Sequence, residues 1–289
     1  KWILFLSIAL TFIITPINAI PFNKRASHQP NDSSSLVPGK FFDRVVIFIF
    51  ENIDYADAAN NTYFKSLAPN HNGVELTNFT ALTHPSQPNY IGLISGATEG
   101  CVDDDLVNMD RDTIVDLLEK KGVSWKTYQE DYPGGCNDSM YIGKYARKHN
   151  PFISFKNIRT NPDRCAKIVN ATELDDDIAN DTVPQFIFYT PNLDHDAHDT
   201  DLNTAATWFQ SFLEPRIKQA NFTKNTMFVS TFDEAKHYTL IPNSIQTVLF
   251  GPDFKRKSNV TTDNTPYNHY SILRTIEDNV SLKIQLEFI

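Results

Sequence analysis

Cysteine is scarce in this chain, which limits the covalent cross-links available to its fold. The 289 residues include three cysteines, Cys101, Cys136 and Cys165. Three thiols can form one intramolecular disulfide, with one thiol left over. The sequence does not reveal which two pair, and we take Cys136–Cys165 as a working hypothesis. A scaffold held by several disulfides is excluded.

Long apolar runs and basic clusters are also missing. The apolar stretch at residues 2–14 is shorter than the roughly 20 residues of a membrane-spanning helix, and no later stretch reaches that length, so we expect no stable membrane anchor. The formal net charge is −9, and the densest basic group is Lys255-Arg256-Lys257. This charge balance argues against a nucleic-acid backbone as the main partner.

The remaining composition fits one large domain. With 41% hydrophobic residues over 289 positions, the chain can bury one sizeable core but is short for two. We expect a single domain over residues 41–289. Residues 20–40 are polar and rich in Ser, Asn and Pro, which is typical of a disordered leader. Residues 132–182 lack periodicity and are predicted to form an elaborated loop region.

Residues 1–19 have the pattern of a secretory signal peptide. Lys1 precedes the apolar stretch, and Pro16-Ile17-Asn18-Ala19 follows it and ends in a small residue of the kind found at signal-peptide cleavage sites. Cleavage is therefore expected after Ala19. A membrane anchor is the alternative, and the shortness of the apolar stretch argues against it. We therefore expect the protein to be secreted or to lie in the cell wall.

Nine sequons for N-linked glycosylation are consistent with secretion. Their asparagines are Asn31, Asn60, Asn78, Asn137, Asn170, Asn180, Asn221, Asn259 and Asn279. Each is followed two positions later by Ser or Thr without an intervening Pro, so N-linked glycans are expected.

Four short apolar runs are each followed by acidic or amide residues. The runs cover residues 45–50, 123–128, 186–189 and 227–231, and the residues after them include Glu51-Asn52, Glu130-Asp131, Asp194 and Asp233-Glu234. Such runs are typical of strands buried on both faces, as in a parallel sheet covered by helices. Ligands bind beyond the carboxyl ends of such strands, so we predict an α/β fold with its site at this edge.

The acids at the predicted edge indicate a metal site. Carboxylates, an amide oxygen and imidazoles gathered at one edge repel each other unless a cation lies among them. A single acid after a strand more often begins a loop or caps a helix. Repetition at several strand ends favours the metal, although the ligand types do not identify the ion.

Ser86 is the candidate nucleophile. It lies between Pro85 and Pro88, and the apolar run from Tyr90 to Ile94 predicts a helix that begins at or near Ser86. The positive end of that helix favours an alkoxide and an attached phosphate, provided that a base or a metal lowers the pKa of the hydroxyl. A simple helix cap is an equally good interpretation.

Asp194, His195 and His198 form the densest group of possible ligands. Carboxylates and imidazoles suit a hydrolytic metal. Two histidines three residues apart either share one face of a helical turn or point apart in a loop. Asp233 and Glu234 are a stronger signal, because adjacent acids directly after a buried strand must be neutralised there.

Five ordered motifs resemble one known family. They are Phe-Glu-Asn (50–52), Thr-His-Pro-Ser-Gln-Pro-Asn-Tyr (83–90), Pro-Asn-Leu-Asp-His-Asp-Ala-His-Asp (191–199), Thr-Phe-Asp-Glu (231–234) and His-Tyr-Ser-Ile-Leu-Arg-Thr-Ile-Glu-Asp (269–278). They resemble the phosphoesterase family that includes fungal secreted, phosphate-repressible acid phosphatases and, more distantly, bacterial phospholipases C. The resemblance covers residues 41–278. It implies an alkaline phosphatase-like, three-layer α/β/α sandwich with a mostly parallel central sheet.

The resemblance also implies roles for the matched residues. The implied ligands of one divalent or trivalent metal ion are Glu51, Asn52, Ser86, Asp233 and Glu234, and the implied catalytic residues are Ser86, Asp194, His195 and His198. Ser86 would form a phosphoserine that water then hydrolyses. The histidines, with Asp194, would bind the phosphoryl group or protonate the leaving group. The roles of His84 and His269 stay open.

We therefore expect a secreted acid phosphatase that hydrolyses small phosphate monoesters. A phosphodiesterase or phospholipase C with the same site is one alternative, but no amphipathic or aromatic-rich lipid-facing segment stands out, which favours soluble monoesters. A non-catalytic secreted glycoprotein with the same fold is the other alternative. Retention of Ser86 and of every implied ligand argues against it.

The resemblance stops before the chain does. Residues 279–289 differ from the tail expected of the family, and Lys1 stands where an initiating Met is expected. Both features predict an incomplete gene model. Loss of tail packing is expected to lower stability without removing the site.

Overall fold

The fold is described by a computed structural model for residues 18–19, 36–239, 241–256 and 259–281. The predicted signal peptide and leader lie outside these ranges, apart from residues 18–19 and 36–40. Residues 282–289 of the divergent tail lie outside them as well.

The strands and helices of the described ranges alternate along much of the chain. The strands are β1 (Arg44–Phe50), β2 (Val74–Leu76), β3 (Phe79–Thr80), β4 (Trp125–Gln129), β5 (Tyr141–Ile142), β6 (Tyr145–Ala146), β7 (Ile168–Asn170), β8 (Phe186–Thr190), β9 (Thr226–Phe232), β10 (Thr247–Phe250), β11 (Thr262–Asp263) and β12 (Tyr267–Asn268). The helices are α1 (Tyr55–Asn60), α2 (Thr62–Asn70), α3 (Ser86–Ser95), α4 (Ile114–Lys120), α5 (Pro151–Ser154), α6 (Lys156–Arg159), α7 (Pro162–Cys165), α8 (Glu173–Ala179), α9 (Leu202–Arg216), α10 (Ala220–Thr223) and α11 (His269–Asn279), and a 3₁₀ turn covers Arg147–His149. Within the described ranges, no helix combines the length and apolarity needed to cross a membrane.

The central sheet has eight strands in the order β11-β2-β10-β9-β1-β8-β4-β7. The strands from β9 to β7 run parallel, and β11 is parallel to β2. Only β10 in this sheet runs antiparallel to its neighbours, β2 and β9. The prediction of a mostly parallel central sheet is confirmed. Two further sheets of two strands each pair β12 with β3 and β5 with β6.

Aromatic side chains cover both faces of the central sheet. On one face, the ring of Phe48 in β1 lies 5.0 Å from that of Phe209 in α9. Phe188 in β8 pairs with Ile47, so its side chain lies on the face opposite to that of Phe48. The ring of Phe188 lies 5.3 Å from that of Phe152 in α5. All are fully buried, and each stabilises the fold by roughly 1.5–3 kcal/mol. Helices therefore lie on both faces, as predicted for a three-layer sandwich.

Helix α3 carries the candidate nucleophile into the interior. Ser86 is its first residue, and all of its residues from Ser86 to Ser95 are buried. The helix ends at Gly96, whose φ of 75° lies in the left-handed region that glycine adopts without a steric penalty. The prediction of a helix that begins at or near Ser86 is confirmed.

The Cys136–Cys165 disulfide is formed, which confirms the working hypothesis. Cys101 is buried and not disulfide-bonded. The disulfide joins the end of α7 to the loop before β5, inside the region predicted to be a loop. That prediction is wrong in part, because residues 132–182 contain several short helices and strands.

The chain segment before β1 is fastened to the end of α11 by Asn279. Its Oδ1 accepts hydrogen bonds from the backbone N–H groups of Phe41 (2.8 Å) and Phe42 (3.1 Å), and its Nδ2 donates to the carbonyl oxygen of Phe42 (2.9 Å). Asn279 is 4% exposed. Its side-chain nitrogen is therefore not accessible for a glycan in the folded chain.

Candidate active site

The acids predicted at the sheet edge converge because their strands are neighbours. Glu51 and Asn52 follow β1, and Asp233 and Glu234 follow β9, the parallel neighbour of β1. Strands that run parallel end at the same edge, so these residues meet beyond it. Ser86 reaches the same place from the start of α3.

Hydrogen bonds join the predicted metal ligands to one another. Ser86 Oγ donates to Glu51 Oε2 at 2.9 Å and lies 3.5 Å from Glu234 Oε1. Asn52 Nδ2 donates to Glu51 Oε2 at 2.8 Å, and the backbone N–H of Asn52 donates to Asp233 Oδ1 at 2.9 Å. The structure thus brings together all five residues that the resemblance assigns to the metal.

Burial removes the water that would otherwise stabilise the negative charges of these acids. Glu51, Asp233 and Glu234 are 0% exposed. Burial, together with the charge of neighbouring acids, raises the pKa of Glu51 and Glu234, and burial also raises the pKa of Asp233. Asp233 Oδ2 has no hydrogen-bond partner among the described residues. Three buried carboxyl groups with one unpaired oxygen supply the oxygen ligands and the negative charge that a metal cation needs. These residues therefore fit a metal ion.

A second group of side chains surrounds the other oxygen of Glu51. Tyr90 OH donates to Glu51 Oε1 at 2.6 Å, and His149 Nε2 lies 3.1 Å from the same oxygen. His149 Nδ1 lies 3.2 Å from Asp196 Oδ2, and its ring stacks on Tyr90 with centroids 5.3 Å apart. Burial, helped by the charge of Lys148, lowers the pKa of His149 well below its usual value, so the imidazole is neutral.

His198 joins this second group from the loop after β8. Ligand atoms of Glu51, His149 and His198 lie within 4.8 Å of one another, a spacing that can hold a metal ion. The backbone N–H of His198 donates to Asp196 Oδ1 at 2.8 Å. The side chain of His198 is 29% exposed, so the group opens to solvent there.

The other two residues of the predicted catalytic trio have different partners. Asp194 Oδ1 lies 2.7 Å from Lys144 Nζ. His195 Nδ1 lies 2.9 Å from the Glu130 carboxylate, and its ring stacks on Trp208 with centroids 5.2 Å apart. Among the contacts of the described residues, neither side chain touches Glu51, Ser86 or Asp233.

The histidines left without a role contact the acids after β9. His84 Nδ1 lies 2.5 Å from Glu234 Oε2, and its ring stacks on Tyr238 at 4.0 Å. His269 Nε2 donates to the carbonyl oxygen of Asp233 at 2.8 Å. Burial lowers the pKa of His269 to about 4, so this ring is neutral and holds the backbone of Asp233, a predicted metal ligand.

Sequence reasoning missed Tyr90, His149 and Lys148. Tyr90 begins the apolar run that predicts α3, where an aromatic residue is typical of the core. His149 and Lys148 lie in the 3₁₀ turn within the region predicted to be a loop. Asp196 carried a signal, because it lies inside the Asp-His-Asp-Ala-His-Asp run.

Comparisons of sequence identify a family model and several relatives that match this chain. A model of the Phosphoesterase family matches residues 52–283. An acid phosphatase of Aspergillus fumigatus is 38% identical over 266 residues, which cover 89% of this chain and 59% of that protein. A phosphate-repressible acid phosphatase of Penicillium chrysogenum is 38% identical over 275 residues, covering 93% of this chain and 66% of that protein. The chain thus spans less than two thirds of the length of these fungal relatives.

A bacterial relative is matched over more of its length. A phosphatidylinositol-3-phosphatase of Mycobacterium tuberculosis is 30% identical over 246 residues, which cover 82% of this chain and 76% of that protein.

Solved structures agree on the fold. A protein of the alkaline phosphatase superfamily from Vibrio parahaemolyticus matches with a TM-score of 0.56 at 12% identity, covering 86% of this chain and 70% of that one. The lipoteichoic acid synthase LtaP from Listeria monocytogenes matches with a TM-score of 0.51 at 12% identity, covering 85% and 73%. The predicted alkaline phosphatase-like fold is confirmed by these likenesses, which concern the fold alone.

Proposed function

The chain belongs to the phosphoesterase family, and we propose that it is an acid phosphatase that hydrolyses small phosphate monoesters. The observation that carries this proposal is the contact of Ser86 Oγ with Glu51 Oε2, at the N-terminus of a buried helix and beside the acids that follow β9. The names of the fungal relatives support it.

In the proposed reaction, Ser86 is the nucleophile. Its hydroxyl hydrogen is held by Glu51, which leaves an oxygen lone pair free to attack phosphorus. As the bond from Ser86 Oγ to phosphorus forms, the serine proton passes to Glu51, the bond from phosphorus to the alcohol oxygen breaks, and the alcohol takes up a proton from His198 or water. Water then attacks the phosphoserine, the bond from phosphorus to Ser86 Oγ breaks, Oγ regains a proton from Glu51, and inorganic phosphate is released.

One metal ion is proposed to assist both steps. Glu51, Asn52, Ser86, Asp233 and Glu234 would hold it, and when bound it would lower the pKa of the serine hydroxyl and offset charge on the phosphoryl oxygens. His198 is proposed to bind the phosphoryl group or to protonate the leaving group. Asp194 and His195 enter this proposal as the residues that shape the loop carrying His198.

We also propose that the protein is secreted and glycosylated, with one phosphoesterase domain over residues 41–289. The signal-like first 19 residues and the sequons support this proposal. Asn60, Asn180, Asn221 and Asn259 are exposed, which suits N-linked glycans. Asn279 is buried and is left out of this proposal.

Release of p-nitrophenol from p-nitrophenyl phosphate between pH 4 and 8 tests the proposed function. We expect turnover by the metal-loaded protein and its loss in a folded Ser86→Ala variant. Ser211→Ala, which removes an exposed serine of α9, serves as the matched control and should keep full activity. A folded, metal-loaded parent that does not turn over this ester would contradict the proposal. Activity on bis(p-nitrophenyl) phosphate instead would indicate a phosphodiesterase.

A further inference from the structure

Lys148 places a positive charge inside the site. Its side chain is 9% exposed, and Nζ lies 2.8 Å from Asp104 Oδ2 and 3.2 Å from His198 Nε2. Asp104 Oδ1 also accepts a hydrogen bond from the backbone N–H of Gln87 at 2.9 Å. One carboxylate therefore joins the lysine to the residue directly after the proposed nucleophile.

A phosphate monoester is an anion, and the site proposed to bind it is lined by buried acids whose charge the proposed metal offsets. A basic side chain beside these acids would add a second attraction for the anion. The neighbouring basic residues have other partners, since Arg147 donates to the carbonyl oxygen of Val107 and Lys144 lies against Asp194. Within this stretch of the described chain, Lys148 is the basic residue that contacts the site.

The hydrogen bonds of Lys148 leave room for another acceptor. An ammonium group has three N–H donors and no acceptor, so Nζ donates to both Asp104 and His198 and has a third N–H left over. His198 Nε2 accepts in this contact, and its Nδ1 lies 2.9 Å from Asp199 Oδ1. A metal ion or a leaving group could use His198 Nε2 only if this contact with Lys148 were broken.

We propose that Lys148 is the anion-binding residue of this site, where its ammonium group binds a non-bridging oxygen of the phosphoryl group. This inference rests on the proposed function for its substrate class. Its ligand chemistry is a phosphate anion, either free or as a monoester.

Calorimetric titration of the metal-loaded, full-length protein with inorganic phosphate tests this assignment without any turnover. We expect Lys148→Met to raise the Kd for phosphate about 10-fold to 100-fold, because a buried hydrogen bond to a charged group is lost. Lys148→Arg should bind phosphate more tightly than Lys148→Gln, since it keeps the charge. Lys156→Met is the matched control, and its Kd should stay within about 2-fold of the parent value, since an exposed ion pair contributes little.

Metal analysis and circular dichroism accompany each titration, so that loss of metal or of folding is not mistaken for loss of anion binding. If Lys148→Met fails to load metal, the Kd values of Lys148→Arg and Lys148→Gln for phosphate test the assignment instead. Equal Kd values for that pair, or a folded Lys148→Met protein with the parent Kd, would overturn the assignment. Phosphate binding that depends on Lys148 in a protein without esterase activity would count against the proposed function alone.

Discussion

At the scale of single residues, the carboxylate of Glu51 is held from two sides. Its Oε2 accepts hydrogen bonds from Ser86 and Asn52. Its Oε1 accepts one from Tyr90 and lies beside His149. Four neighbours around one side chain restrict its rotamers, so the oxygen that faces Ser86 is oriented before a substrate binds.

Glu277 on α11 is a buried acid that is not among the predicted site residues. Its side chain is 6% exposed, and Oε1 has no hydrogen-bond partner in the described ranges. Burial raises the pKa of Glu277 to about 7, although Arg274 lies 3.7 Å away. The folded-state pKa of Glu277 is higher than the unfolded value of roughly 4.3. Protonated Glu277 therefore contributes its full share of the folding free energy below about pH 4.3, and this contribution is lost as the pH rises through 7.

We expect Glu277→Gln to stabilise the protein at pH 8 and to have little effect at pH 4.5. The gain at pH 8 should be about 1 kcal/mol after allowance for Arg274 and solvent screening. Thermal unfolding at both pH values checks this difference. Glu99→Gln, at a side chain that is 82% exposed, is the control and should show no such pH dependence. If Glu277→Gln shifts the Tm equally at both pH values, the charge of Glu277 is not what destabilises the folded protein at pH 8.

Residues that follow strands could be predicted from the sequence, whereas those between short elements could not. Glu51 and Asp233 lie at the sheet edge because each directly follows a buried parallel strand. His149 lies in a three-residue turn, which is too short to show a period. His195 and His198 have different partners, and between them Ala197 has a φ of 85°, which turns the loop sharply.

At the scale of elements, Asn279 joins the segment before β1 to α11, the last helix of the described ranges. We expect Asn279→Ala to lower the free energy of unfolding by roughly 2–4 kcal/mol, because three hydrogen bonds of a buried amide are lost. Urea denaturation measures the change. Asn203→Ala removes one exposed bond from Asn61 and should change stability by less than about 0.5 kcal/mol. Similar losses in the two variants would show that Asn279 does not hold the segment.

The element pattern was predictable where strands are long and buried. The runs at 45–50, 186–189 and 227–231 became β1, β8 and β9, because β-branched and aromatic residues favour a sheet covered on both faces. The direction of β10 was not predictable, since a buried strand has the same apolar pattern in either direction. Elements of two to four residues in the 132–182 region also leave no periodic signal.

At the scale of the whole molecule, the buried acids make the proposed metal part of the fold as well as of the site. A metal that binds the folded chain but not the unfolded one stabilises it by about 2.7 kcal/mol at a free concentration 100 times its Kd. We therefore expect chelation to lower the Tm by several degrees and metal to restore it.

Differential scanning calorimetry before and after chelation, with metal analysis of both samples, measures this effect. Asp233→Asn removes one of the proposed ligands, so chelation should change the Tm of that variant much less. An unchanged Tm for a parent protein that has lost its metal would show that these acids are neutralised in another way.

The Cys136–Cys165 disulfide closes a ring of chain that contains Lys148 and His149 and leaves Glu51 and Ser86 outside. The two halves of the site are therefore held by different kinds of bond. The strand-end half depends on the hydrogen bonds of the sheet, whereas the ring that carries the lysine is closed by the oxidation of two thiols. A chain that folds under reducing conditions is expected to form its strand-end ligands without the cross-link that closes the ring around its anion-binding residue.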